Sequence, residues 1–350
     1  GPDAMEGPAA VRMVIDQLEG YEAPAAAWEG DLLPARIRDY DYAWLDELCN
    51  AGQLVWGRLH PQSNGKMPAG PIKTTPICFA NRPNLSIWLG SARSETIENL
   101  THPAREVLEL LGSQGALFFD EVRVRTGLLE DHVEQGISEL VARGLLTSDS
   151  FVGLRAFLVD SRFKSSRRRS RREVFTMQMA GRWSILPEPP EERTAESLMA
   201  IARALLRRYG VVFRKLAAHE GCAPWRDLVR ALRTMEARGE IRGGRFVGSA
   251  WGEQFALPEA IPRLRKISRE QGSTALVSVS AADPLNLTGV ITPGRRVPGI
   301  FSNRILYRNG APIAAKEGKE IRFLVELAQS EQWELQQKLV RREISTKIRP

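Results

Sequence analysis

Three helix ends in this chain read alike, and each hands over to a strand-like run across a glycine. Glu47-Leu48-Cys49-Asn50-Ala51-Gly52-Gln53-Leu54 is matched by Glu139-Leu140-Val141-Ala142-Arg143-Gly144-Leu145-Leu146 and by Thr234-Met235-Glu236-Ala237-Arg238-Gly239-Glu240-Ile241. The glycines, Gly52, Gly144 and Gly239, stand 92 and 95 residues apart. Where a helix must stop and the chain turn into a strand, a residue free to take positive φ is needed. Such a joint links the third helix of a winged helix to its wing hairpin, so the repeat predicts an α+β chain of tandem winged helices.

The second copy is the most regular. Thr101 is placed to cap a helix carrying Val107, Leu108 and Leu111 and ending at Gly112, and Phe118 to Thr126 gives a short second helix before Gly127. A third helix lines up Val133, Ile137, Leu140 and Val141 at i, i+4, i+7 and i+8. Leu145 to Val159 then reads as two strands around Gly153. In the third copy Thr194 caps a helix burying Leu198, Ile201, Ala202, Leu205 and Leu206, with Gly210 at its end. Phe213 to Glu220 follows as the second helix, and Pro224 suits the first turn of the third, whose core stripe is Leu228, Leu232 and Met235. Its wing is Glu240 to Val247 and Glu253 to Leu257. The first copy is looser: helices at Val11–Leu18 and Tyr42–Asn50, a strand from Gln53 to Leu59, a loop from Pro61 to Pro71 and a returning strand from Pro76 to Ala80.

After a helix over Glu259–Ile267 the pattern changes to short strand-like runs, Thr274–Ser280, Gly289–Ile291, Arg304–Tyr307 and Ala311–Ala315, with Asn309-Gly310 as a hairpin turn. A small sheet or barrel closed by a helix over Glu320–Val340 is expected. The resulting division is a winged-helix-like domain over 6–95, a winged helix over 96–160, a basic linker over 161–190, a winged helix over 191–268 and a β-barrel-like or β-rich domain over 269–350. By length alone, 350 residues at roughly 150 residues per domain suggest two or three domains.

Composition narrows the function classes. No apolar run approaches the ~20 residues that a membrane-spanning helix needs, and Gly1 to Met5 reads as a cloning scar rather than a signal peptide, so a cytoplasmic protein without a membrane partner is expected. Cys49, Cys78 and Cys222 show no C-x-x-C spacing, and His60, His102, His132 and His219 form no ligand pair. Buried thiols are expected, with no metal and no cofactor. Neither Gly65-Lys66 nor Gly318-Lys319 is followed by Ser or Thr, so no phosphate-cradling ATPase loop is present.

The basic excess is local. Arg162, Lys164, Arg167, Arg168, Arg169, Arg171 and Arg172 are seven of the 49 basic residues, and the other 42 balance 42 acidic ones. That run reads equally as a phosphate-gripping loop or as a solvated linker, and the two are compatible. In the third copy Arg226, Arg230 and Arg233 fall at i, i+4 and i+7 opposite the apolar stripe, with Arg242 and Arg245 in the wing. From that helix a winged helix grips a nucleic-acid groove. The matching helix of the second copy carries Glu130, Asp131, Glu134 and Glu139, which repel phosphate, so this copy is expected to pack against protein. Asp283-Pro284 is an ordinary turn starter, and its carboxylate is also a candidate catalytic group. Trp251, Phe255, Phe301 and Tyr307 are available to a flipped base, although each reads more readily as core.

Glu236-Ala237-Arg238-Gly239-Glu240-Ile241-Arg242-Gly243-Gly244-Arg245-Phe246-Val247 and Gly252-Glu253-Gln254-Phe255-Ala256-Leu257-Pro258-Glu259-Ala260 resemble the C-terminal half of long-form Lhr, the large helicase-related proteins. Ser280-Ala281-Ala282-Asp283-Pro284-Leu285-Asn286-Leu287-Thr288-Gly289 and Asn303-Arg304-Ile305-Leu306-Tyr307-Arg308-Asn309-Gly310 do so as well. The resemblance implies a superfamily 2 helicase core on the same polypeptide, ahead of winged helices and a β-barrel similar to AlkZ-type DNA glycosylases. The glycosylases' Gln-x-Gln motif is missing: Gln336-Gln337 is adjacent and Gln178 lies between methionines. Two readings follow. One is a DNA-binding module that positions DNA for the motor, with homo-oligomeric assembly an open option. The other is a glycosylase removing a damaged or deaminated base through Asp283, in line with the uracil-DNA glycosylase activity attributed to some Lhr proteins.

Overall fold

The structure, a computed structural model, describes residues 6–59, 72–89, 99–158, 176–190, 192–269 and 275–340. The chain divides into two compact units, one of residues 5–26 and 39–192 and one of residues 1–4, 27–38 and 193–350. Among the described residues no helix is long and apolar enough to cross a membrane.

In the first unit, helix Gly7–Leu18 buries Val11, Val14, Ile15 and Leu18. Helix Tyr42–Asn50 starts where the Asp41 carboxylate accepts the Ala43 N–H at 2.8 Å. Gly52, at φ +68°, turns the chain into β2 (Leu54–Gly57), which pairs with β3 (Pro76–Asn81), while β1 (Ala23–Pro24) completes a sheet of order β1-β3-β2. The expected loop Pro61–Pro71 lies outside the described residues.

The second copy has helices His102–Gln114, Phe119–Thr126 and Glu130–Ala142. Val133, Ile137, Leu140 and Val141 are buried as the periodicity predicts. Thr101 precedes the first helix but makes no capping bond; its hydroxyl donates instead to Glu139 at 2.6 Å. That helix runs past Gly112 to Gln114, and Gly115 ends it at φ +79°. Gly136 sits where the first and third helices touch. A Cβ there would lie 2.8 Å from the Pro103 carbonyl oxygen, a backbone atom that cannot swing away. Gly136→Ala is therefore expected to destabilise this unit by about 1–3 kcal/mol, despite alanine's better helix propensity; a denaturant midpoint equal to the parent's would show that the helices part freely.

The wing of this copy departs from expectation. β4 (Leu146–Ser148) is a strand, but Val152–Leu158 is a helix, and the strand facing β4 is β5 (Trp183–Ile185), drawn from the span read as linker. Gly153 is required by packing rather than by a turn, since a Cβ would meet Trp183 at 2.6 Å and Ala180 at 2.8 Å. Trp183, Trp56, Phe151, Phe79 and Phe157 make a chain of ring contacts at 5.2–6.4 Å.

In the second unit the third copy follows the sequence closely. Helix Ala195–Tyr209 is capped by Thr194, whose hydroxyl accepts the Ser197 N–H at 3.1 Å, and Gly210 ends it at φ +73°. β6 (Val211–Phe213), helices Arg214–Glu220 and Trp225–Ala237, β7 (Arg242–Gly244) and β8 (Gln254–Ala256) follow, the strands pairing in the order β6-β8-β7. Pro224 stands just before the third helix.

Beyond helix Ala260–Arg269, β9 (Leu276–Ser280), β10 (Arg304–Arg308), β11 (Ala311–Glu317) and β12 (Glu320–Phe323) form an antiparallel sheet of order β12-β11-β10-β9. Asn309 and Gly310, at φ +49° and +74°, make the two-residue turn between β10 and β11. Alternation splits the sheet: Leu306, Ile313 and Ala314 pack with Leu335 and Leu339 of helix Gln329–Val340, and Ile305 and Ala315 pack with Ala281 and Val297. Of the small sheet or barrel expected, the sheet is what forms: among the described residues it is open, with β9 and β12 as its edges, and no closed barrel is found. Glu320–Phe323 is strand instead of helix because its polar–apolar alternation has period two and pairs with β11. Gly289–Ile291 forms no strand; it is a turn whose Val290 packs against the winged helix.

Candidate nucleic-acid interface

The 225–237 helix separates two chemistries by its period. Leu228, Ala231, Leu232 and Met235 are buried, and Arg226, Arg230 and Arg233 are exposed on the other side. Two of these arginines meet acids: Arg226 approaches Asp227 at 3.4 Å, and Arg233 holds Glu253 through two bonds of 2.9 and 3.0 Å. Pairs this exposed are worth ~0–1 kcal/mol, little enough for a phosphate to displace the carboxylate. Arg230 and Arg242 make no ion pair among the described residues, and Arg245 is exposed in the wing.

The loop carrying Arg245 is fixed from below. The buried Gln254 side chain accepts the N–H groups of Phe246 and Val247 at 2.9 and 2.8 Å and donates to the carbonyls of Val247 and Ala250 at 3.0 and 2.9 Å. Ala250 is buried in a cluster with Val211, Phe213, Leu216, Ala256 and Val290. Trp251, the next residue, is 84% exposed, and the Arg245 guanidinium carbon lies 5.7 Å from the centre of one of its rings. Of the two readings open to Trp251, core was the readier and is not what the fold shows; its position between Ser249 and Gly252, in a turn of small residues, is the sign that it projects outward. Phe255 is buried as expected.

The run from Arg162 to Arg172 lies outside the described residues. On the second copy's third helix, Glu130 and Asp131 are exposed and Glu134 is half-buried. Glu139 is not on the surface: it is buried, accepts from Arg143 at 3.0 Å and from the Thr101 hydroxyl at 2.6 Å, and so holds two helices together.

Asp283 sits in the turn after β9. Its Oδ1 accepts the Leu285 N–H at 2.9 Å, its own N–H donates to the Ser280 carbonyl at 3.0 Å, and the Asn286 N–H donates to its carbonyl at 2.9 Å. Arg36 grips the carboxylate with both terminal nitrogens, at 2.7 and 3.0 Å, and the two side chains are 19% and 5% exposed. Nearby, the Tyr307 hydroxyl donates to the Leu285 carbonyl at 3.0 Å; burial, and after it the charge of Asp283, push this phenol up to about 12. The carboxylate is thus a closed, three-donor anion in a turn. No sequence signal connected Arg36 to it.

Of the remaining titratable groups, Cys49, Cys78 and Cys222 are all buried, and burial pushes the Cys222 thiol up to about 12.

Residues 191–276 and 1–80 match the models of two winged-helix domains of the large helicase-related protein, the fourth and the third respectively. The chain is 30% identical over 353 residues to the Lhr helicase/uracil glycosylase of Escherichia coli K12, covering 93% of this chain and 22% of that protein. It is 29% identical over 346 residues to the Lhr helicase/probable uracil glycosylase of Mycolicibacterium smegmatis, covering 89% and 21%. The chain therefore spans about a fifth of the length of the curated relatives it matches. Among solved structures, the DNA glycosylase AlkZ of Streptomyces sahachiroi aligns over 96% of this chain and 97% of that one, with a TM-score of 0.43 and 13% identity.

Proposed function

Since the chain belongs to the large helicase-related (Lhr) family, we propose that it is a DNA-binding module which holds DNA for a helicase core elsewhere on the same polypeptide. The observation that carries this reading is the row of exposed arginines, Arg226, Arg230 and Arg233, on the third helix of the 193–269 winged helix, the element that such a fold lays in a groove. Arg242 and Arg245 extend the basic surface along the wing, where they reach flanking phosphates. The arginines between 162 and 172 add further phosphate contacts, and the acidic second copy stays off the DNA and meets protein.

Affinity for a duplex measured across salt concentrations tests it. Each phosphate contact adds ~0.9 to the slope of log affinity against log salt. Changing Arg226, Arg230 and Arg233 together to Ala is expected to lower the slope by about 3 and to weaken binding at low salt by at least ~10-fold. An unchanged slope and affinity would remove this helix from the interface, and a crosslink from DNA to the 130–142 helix in its place would reverse the assignment of the two copies.

A second reading, base removal through Asp283, draws on the glycosylase wording in the names of both relatives. It requires Arg36 to release the carboxylate, because three donors now occupy it. An alkali-labile site in uracil-containing DNA that disappears with Asp283→Asn supports it, provided the variant remains folded; no such site in the parent chain rejects it.

A further inference from the structure

We propose that Trp251 and Arg245, at the wing of the 193–269 winged helix, form a stacking platform for one unpaired nucleobase, so that this module prefers duplex DNA that ends in a single strand. The inference rests on the DNA-binding reading above and deepens it.

Three observations converge on the wing. The first is the exposure of the indole: a large apolar side chain at 84% exposure in a loop that is otherwise anchored. Gln254 ties four backbone groups of residues 246–250, the Ser249 hydroxyl donates to the Ile291 carbonyl at 2.8 Å, and Ala250 is buried. Gly252, at φ +83° with nothing within 4 Å of where a Cβ would be, turns the chain back sharply after the tryptophan. The ring is therefore held out by a stiff frame, which reduces the ordering cost that a floppy side chain would meet on binding.

The second is the guanidinium over the ring. Arg245 at 5.7 Å is in cation–π range, and a flat cation beside a flat aromatic group offers a base a stacking partner and a charge for its phosphate. The third is the local charge. Between residues 242 and 256 the one acid is Glu253, and Arg233 already holds it with two bonds. Glu236 reaches the base of the wing, where it accepts the Gly243 N–H at 2.9 Å, and the charged group that stands over the indole itself is the Arg245 cation. That combination, an aromatic face inside a basic rim, is how proteins bind unpaired strands without reading sequence. A base pair inside a duplex cannot use such a platform, since both its faces are covered by its neighbours in the stack.

The test uses the full chain with two probes, a blunt duplex and the same duplex extended by a single-stranded tail whose first unpaired base is 2-aminopurine. The parent chain is expected to bind the tailed probe more tightly and to quench its fluorescence as the base stacks on the indole. Trp251→Ala is expected to weaken the tailed probe ~10-fold, the size of one lost base–aromatic stack, with blunt-duplex affinity within twofold of the parent and no quenching. Trp251→Phe keeps a stacking face and is expected to restore most of both signals. Equal affinity of the parent for the two probes, or quenching that survives Trp251→Ala, overturns the proposal while leaving duplex binding by the 225–237 helix standing. Absence of binding to either probe overturns both readings. A change in self-association on Trp251→Ala, with tailed-probe affinity unchanged, identifies the ring as a protein contact and rejects the platform.

Discussion

Arg36→Ala is expected to destabilise the unit formed by residues 27–38 and 193–350 by about 3–5 kcal/mol, the usual cost of stranding one member of a buried ion pair. Asp283 keeps its Leu285 bond in the variant but loses both guanidinium donors while its own side chain is only 5% exposed. Asp283→Asn is expected to cost less than Arg36→Ala, because the stranded Arg36 is the more exposed partner and can reach solvent. Replacing both at once, Arg36→Met with Asp283→Leu, is expected to be milder than Arg36→Ala, since no uncompensated charge remains. Denaturant unfolding of the four chains checks the order. Equal midpoints for Arg36→Ala and the parent would mean that the pair does not hold this unit together, and Asp283 would then be available for chemistry on its own account. The order also governs how a loss of base removal in Asp283→Asn is read: a loss shared by Arg36→Ala reports the turn, and a loss confined to Asp283 reports the carboxylate.

The second large effect lies in the other unit. Trp183 is fully buried, 6.1 Å from Trp56 and 6.4 Å from Phe157 by ring centres, and its backbone exchanges hydrogen bonds with Leu117 at 2.7 and 3.1 Å. Trp183→Ala opens a cavity where the second wing closes on the first sheet's Trp56, and about 3–5 kcal/mol is expected to be lost. Trp183→Phe separates shape from polarity. Among the described residues the indole Nε1 is buried without an acceptor, so phenylalanine gives up volume but also removes a donor that costs free energy to bury. The phenylalanine variant is expected to recover more than half of the alanine loss, as read from thermal unfolding. Equal losses in the two variants would show that the indole nitrogen has an acceptor and that the site depends on it.

What the sequence discloses and what it conceals follow from the range of the interactions. Gly52, Gly144 and Gly239 mark local events, and each takes positive φ at the joint assigned to it, +68°, +72° and +76°. The arginine row of the third copy and its buried stripe are also local, being one helix's periodicity. The wing of the second copy is not: β4 finds its partner at Trp183–Ile185, beyond a basic run, so the nearby Val152–Leu158 was free to be helical. Glu139 reads as a surface acid by composition, yet Arg143 one turn later and Thr101 just ahead of another helix bury it. Arg36 and Asp283 lie 247 residues apart, and nothing in the spacing of either announces the other.

That separation bears on how the molecule is made. Asp31 accepts from Arg304 at 3.1 Å across 273 residues, alongside the Arg36–Asp283 pair, so the 27–38 segment is fastened by groups that leave the ribosome long after it does. At ~5–20 residues per second, the segment waits on the order of 10–50 s for its partners. Chains shortened before residue 283 carry Asp31 and Arg36 with neither counter-ion. A C-terminal deletion series will therefore unfasten a segment lying between the first two long helices, and what such a series reports as the contribution of the final sheet will include the release of residues 27–38.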